Sequence, residues 1–194
     1  MPDSGETQSK PRDRIIQSAR EQFRKHGVRG IGVDAIAEAA GSNKMTLYRH
    51  FGSKDDLVVA CLREAALEAD AVWAELEADH PGDPMAQLYA WVRMGAECVE
   101  DDGRGCEFAN CAVELAEDDH PAKQVIEEVK TNHRDHLARL CKAAGIHEAE
   151  LLADALFLLV EGARVNRQSE GASGACARMI AIGDATIAAF AKRG

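Results

Sequence analysis

The sequence lacks the features that would place it in several common classes. No run approaches the roughly 18 consecutive apolar residues of a membrane helix, and no apolar segment follows the polar stretch from Met1 to Lys10, as a secretion signal would require. Residues 1–10 are expected to be a disordered lead-in, and the protein to be cytoplasmic with no membrane partner. Six cysteines occur (Cys61, Cys98, Cys106, Cys111, Cys141 and Cys176), but no C-x-x-C pair. That argues against a zinc ribbon or a thioredoxin-like centre and for reduced thiols rather than a disulfide framework. Alternation of β-branched residues, the mark of strands, is almost missing. Proline is confined to positions 2, 11, 81, 84 and 121, all suited to element boundaries. A phosphate loop, a nucleophile elbow and a dinucleotide fingerprint are all absent. His147-Glu148-Ala149-Glu150 lacks the second histidine of H-E-x-x-H. The acid pairs Asp101-Asp102 and Asp118-Asp119 fall in expected loops, where solvation accounts for them. No catalysis, bound metal or cofactor is expected.

What is present is a chain of 194 residues with a net charge of −10 that is unevenly spread. Residues 10–54 hold ten Lys/Arg against four Asp/Glu, a net of +6, whereas residues 61–194 hold 13 against 25, a net of −12. One end suits a polyanion and the rest would repel one. The apolar spacing is helical nearly throughout and predicts an all-α fold of about nine helices. The first runs from Pro11 to a cap at Gly27 and buries Ile15, Ala19 and Phe23. Short helices follow over Val33–Ala40 and Lys44–Phe51, the second capped by Asn43. Ser53 and Asp56 form a variant capping box for a long helix from Lys54 to Ala78. Beyond the His80–Pro84 linker, helices are expected at about 84–101, 105–118, 121–144, 148–170 and 173–192.

Two short helices joined by a Gly-containing turn fit a helix-turn-helix. The segment Ile36-Ala37-Glu38-Ala39-Ala40-Gly41-Ser42-Asn43-Lys44-Met45-Thr46-Leu47-Tyr48-Arg49-His50-Phe51-Gly52-Ser53-Lys54-Asp55-Asp56-Leu57, with Phe23, Gly27 and Val33 upstream, resembles the signature of the TetR family of transcriptional regulators. The resemblance covers about 50 residues, and the remainder of the chain matches only in length and helicity. It implies a DNA-binding domain over 11–53 and a ligand-binding and dimerisation domain over 54–194. It also implies DNA contacts by Lys44, Met45, Thr46, Tyr48, Arg49, His50 and Lys54, with Val33 at the start of the second helix. Thr46 would touch a base edge or a thymine methyl, and Tyr48 and Lys54 would hold phosphates. The chain departs from the family where Ile31-Gly32 replaces the usual Thr-Thr, Asn43 the usual Ser, and Met45 a small residue.

By the same resemblance the partners are an operator in double-stranded DNA, a second copy of the chain docked through the last two helices (about 148–192), and an unidentified small-molecule effector. Leu151, Leu152, Ala155, Leu156, Leu159, Val160 and Ala163 offer an apolar stripe on the penultimate helix. Ala181, Ile182, Ala185, Ile187, Ala188 and Phe190 do so on the last, and Gly162, Ala163 and Gly183 would allow close helix approach. Candidate ligand-binding residues are Trp73, Trp91, Met94, Cys98, Phe108, Asn110, Cys111, Phe157, Glu161 and Arg164, with Asn166 as a further polar candidate. Cys98, Cys106, Cys111, His133 and His136 admit a metal site or a thiol switch, although their spacing is not diagnostic. The expected function is that of a repressor released from a palindromic operator by a small molecule. A dimer without an effector and a thiol-based redox sensor are the alternatives.

Overall fold

A computed structural model describes residues 10–101, 105–115 and 119–192. Among them are α1 (Pro11–His26), α2 (Val33–Ala39), α3 (Lys44–Phe51), α4 (Lys54–Asp79), α5 (Pro84–Asp101), α6 (Glu107–Glu114), α7 (Pro121–Ala143), α8 (Ala149–Glu170) and α9 (Met179–Ala191), with a 3₁₀ turn at Ala175–Arg178 and no strand. The expected all-α architecture is therefore what the chain adopts. The lead-in up to residue 9, Asp102-Gly103 and residues 116–118 lie outside the described residues, and the helix expected over 105–118 ends at Glu114.

The chain divides into two compact units, one made of the residues up to Ala65 with Asn110–Val125, the other of Ala66–Ala109 with Ile126 onward. The N-terminal unit has a core of Ile15, Ile16, Ala19, Val33, Ile36, Ala37, Leu47, Phe51, Leu57 and Cys61. Ser18, buried in α1, donates its hydroxyl to the Ile36 carbonyl at 3.2 Å, fixing α1 against α2. α1 ends at Gly27, whose φ of 77° lies in the left-handed region. The tip of α6 joins this unit: Glu114 Oε2 accepts the Arg29 N–H at 3.2 Å. His120, just before α7, accepts the Ala122 N–H on Nδ1 at 3.1 Å and sets Nε2 3.5 Å from Asp55.

The C-terminal unit packs α5, α8 and α9 around Leu88, Trp91, Val92, Leu137, Leu152, Leu156, Met179 and Ile187. The His80–Pro84 segment is a tight turn in which the buried Gln87 amide donates to Glu77 at 2.7 Å and to the His80 carbonyl at 2.8 Å. Two helix starts differ from the sequence reading by more than one residue. α6 starts at Glu107 rather than at 105, because Gly105 takes a φ of 79° that a helix cannot continue. The last helix is preceded by the 3₁₀ turn, which is held by the Asn166 side chain accepting the Cys176 N–H at 2.9 Å.

Candidate nucleic-acid interface and an interior polar cluster

The helix-turn-helix is built from local signals. α2 closes on Ala40, Gly41 takes a φ of 60° and the Ser42 N–H returns to the Ala37 carbonyl at 2.9 Å, so the chain reverses within three residues. Asn43 then caps α3 by accepting the Thr46 N–H at 2.9 Å. The next cap differs in detail from a capping box. Ser53 Oγ accepts the Asp56 N–H at 3.0 Å, and the Asp56 carboxylate takes the Ser53 hydroxyl at 2.6 Å instead of reaching the backbone.

Leu47 and Phe51, one turn apart, anchor α3 in the core, and Leu47 is fully buried. This fixes what the helix shows outward. Lys44, Met45, Tyr48, Arg49 and His50 are exposed, Met45 to 79%, and Thr46 is half-buried. Lys44 Nζ lies 3.0 Å from Asp34, whose hydrogen bond and charge hold the lysine above its ordinary pKa. The His50 ring leans on Phe51 at 6.1 Å, and the Arg12 guanidinium covers the Phe51 ring at 5.6 Å. Two expected contacts are placed otherwise. The Val33 side chain packs in the core, leaving its main chain in the first turn of α2 as what it can present. Lys54 is half-buried and donates to the Ile31 carbonyl at 2.6 Å, which ties α4 to the α1–α2 connection.

In the C-terminal unit, five of the ligand-site candidates stand in or beside one group of side chains. Trp73 of α4 stacks on His136 at 5.1 Å and meets His133 at 4.8 Å. His133 also faces Trp91 at 6.0 Å and Phe157 at 6.5 Å. Burial, then the charges of Lys130 and Arg164, push the His133 pKa down to about 4, so the ring is neutral near pH 7. Lys130 lies over the Phe157 ring at 5.4 Å, binds Glu161 at 2.6 Å and lies 3.8 Å from Cys106 Sγ. Arg164 Nη1 binds the other Glu161 oxygen at 3.3 Å. Met94 packs against the same core, Phe108 is buried and Cys98 is exposed. Asn110 and Cys111 fall in the N-terminal unit.

Lys130, His133 and His136 lie in a run, Lys130–Arg139, that reads as a solvated face. The i, i+3 spacing of the histidines and the i, i+3 acid–base pair Glu161/Arg164 are the signals that mark this group in the sequence. The cysteines are thiols rather than disulfides, and among the described residues no three or more His, Cys, Asp and Glu side chains come together as metal ligands. Among the described residues no helix is long and apolar enough to cross a membrane.

The apolar stripes of α8 and α9 divide. Leu152, Leu156, Val160, Ala163 and Ile187 belong to the core. Gly183 faces the interior as well: a β-carbon there would come within 2.6 Å of Val92, so this glycine lets α9 approach α5. Left open are Leu151, Leu158 at 68% exposure and Val165 at 65%, with Gly162 facing open space and Ile182 exposed on α9. Leu158 and Val165 were not distinguished by composition alone. Their spacing of seven and fourteen from Leu151 is the available signal.

An all-α chain that caps a short, outward-facing second helix of a helix-turn-helix belongs to the class of helix-turn-helix proteins. The profile of bacterial regulatory proteins of the tetR family matches residues 15–61, which makes that segment a TetR-family helix-turn-helix domain. It is 33% identical over 72 residues to the transcriptional repressor AcnR of Corynebacterium glutamicum, covering 37% of this chain and 38% of that protein. It is 42% identical over 100 residues to the transcriptional regulatory protein RaaS of Mycobacterium tuberculosis, covering 50% and 47%. The matched segments thus span less than half the length of these curated relatives. A TetR-family transcriptional regulator from Streptomyces coelicolor has the same fold, with a TM-score of 0.86 at 23% identity over 93% of this chain and 95% of that one.

Proposed function

We propose that the protein is a ligand-responsive transcriptional regulator, a repressor that leaves a palindromic operator when a small molecule occupies its C-terminal unit. The observation that carries the reading is α3, a capped helix backed by Leu47 that presents Lys44, Met45, Tyr48, Arg49 and His50 together within a TetR-family domain. Donors on a short, firmly backed helix are what reading a major groove requires. Residues 11–53 would serve as the reading head and 54–194 as the effector and dimerisation region. Lys44 and Tyr48 would hold phosphates, Met45 and Thr46 would face bases, and Arg49 and His50 would lie along the backbone. Lys54, already committed to Ile31, would support a phosphate mainly by ordering the start of α4.

A palindrome calls for a two-fold partner, with reading heads about 34 Å apart. The open seam of Leu151, Leu158 and Val165 on α8, with Ile182 on α9, supports a homodimer through these two helices. The effector would act by binding one arrangement of the dimer more tightly than the other.

The test is fluorescence anisotropy with the DNA flanking the protein's own gene across a salt series. Tight, palindrome-dependent binding that weakens steeply with salt is expected. Tyr48→Phe should weaken it, and Leu158→Glu should lower both the dimer fraction in sedimentation and the affinity. A dimer that shows no sequence preference on any such DNA would sink the reading.

A further inference from the structure

The interior group of the C-terminal unit has a chemical bias that narrows what it can hold. We propose that it binds a small aromatic carboxylate, whose ring lies against Trp73, Trp91 and Phe157 and whose carboxylate is taken by Arg164 and Lys130. This deepens, and rests on, the ligand-responsive reading above.

The first observation is charge. Lys130 and Arg164 share the single carboxylate of Glu161, and all three side chains are only about a quarter exposed, at 24%, 23% and 26%. The neutral His133 between them and the tryptophans adds no charge; with Asp70, which also acts on His133, and Arg167 counted, the cations Lys130, Arg164 and Arg167 outnumber the acids Glu161 and Asp70 by one. A cationic ligand would meet that excess without compensation.

The second is hydrogen bonding. Among the described residues four buried side-chain polar atoms have no partner, and three are N–H donors: Trp73 Nε1, Arg164 Nε and Arg167 Nε. Trp73 and Arg164 belong to the group, and Arg167 follows Arg164 at i+3 on α8. The fourth atom, Asp184 Oδ1, is on α9 in a residue whose other oxygen pairs with Arg93 at 3.8 Å. Buried donors without acceptors are costly, so the ligand they favour brings acceptors and needs none. Glu161 occupies Nη1 of Arg164, which leaves the Nε edge. That edge takes the two oxygens of a carboxylate side by side.

The third is shape. Trp73, Trp91 and Phe157 each turn a ring towards His133, with centroids 4.8, 6.0 and 6.5 Å from it. Flat conjugated rings pack on such walls better than flexible chains do.

Both tryptophans of the chain are in this group, so intrinsic fluorescence reports on it directly. The full-length protein is titrated with benzoate, trans-cinnamate and 1-naphthoate, and with the three matching carboxamides, with thermal shift as a second readout. At least one acid is expected to saturate, with its amide binding about tenfold weaker or worse. Arg164→Met should weaken that acid about tenfold and leave the amide unchanged. Lys130→Met serves in the same way should the first variant not fold. Equal binding of acid and amide, no saturation by any of the three acids, or acid affinity unmoved in both variants would overturn the proposal. Operator anisotropy on the same samples separates the two readings. An acid that binds but leaves DNA affinity unchanged overturns the effector reading and supports the site. A neutral or cationic aromatic that releases DNA where no acid binds overturns the site and supports the effector reading.

Discussion

The two units use charge in opposite directions. The N-terminal unit has a core that is apolar but for the Ser18 hydroxyl, and it exposes the cations of α3. The C-terminal region is strongly acidic in composition, yet its interior gathers two cations, one carboxylate and a neutral histidine among tryptophans. The difference shows why net charge misleads for such a chain. A solvated surface charge attracts a large polyanion at a distance, whereas a half-buried one selects a small ligand at contact.

Changes on each side sharpen the contrast. The largest expected effect is from Leu47→Ala, which removes the anchor of α3 from full burial. A loss of about 2–5 kcal/mol in urea unfolding is expected, with operator binding lost as well. Next comes acid. The folded-state pKa of His133, about 4, lies below the 6.5 of an unfolded histidine. Below pH 6.5 the unfolded chain therefore takes up a proton that the folded one refuses. Stability is complete above that pH and falls as pH drops towards 4, by roughly 3 kcal/mol in all. His133→Phe should flatten that part of the urea midpoint against pH; an unchanged slope would mean that the ring is not held neutral. Asn43→Ala should cost about 0.5–2 kcal/mol and Asn43→Ser much less, because either oxygen can cap α3. Lys44→Met, at an exposed pair, should leave the thermal midpoint unmoved and lower the salt dependence of DNA binding by about one unit of slope.

The N-terminal unit was almost fully legible in the sequence because its instructions are local. Pro11, Gly27, Gly41, Asn43 and Gly52 each end or begin an element through their own backbone or cap chemistry. The interior cluster was half legible. Trp73, Trp91, Phe157, Glu161 and Arg164 stand among the ligand candidates and His133 and His136 among the metal or thiol-switch candidates, whereas Lys130 is hidden in a charged run. Only the packing of α7 beside Trp73 turns that face inward. The dimer stripe was legible as apolar but not as to direction. Spacing cannot tell that Gly183 faces Val92 while Leu158 faces out, since both fit a helical period.

Gly27 has a consequence for which substitutions the chain can tolerate. A β-carbon there would stand 2.6 Å from a Glu114 carboxylate oxygen. The carboxylate can swing aside only by releasing the Arg29 N–H, and the φ of 77° would remain unfavourable for any other residue. A missense change at codon 27 therefore does two kinds of damage at once, and no second-site change in Glu114 repairs both. In a saturation screen for loss of regulation this position would rank among the intolerant ones without touching DNA or ligand.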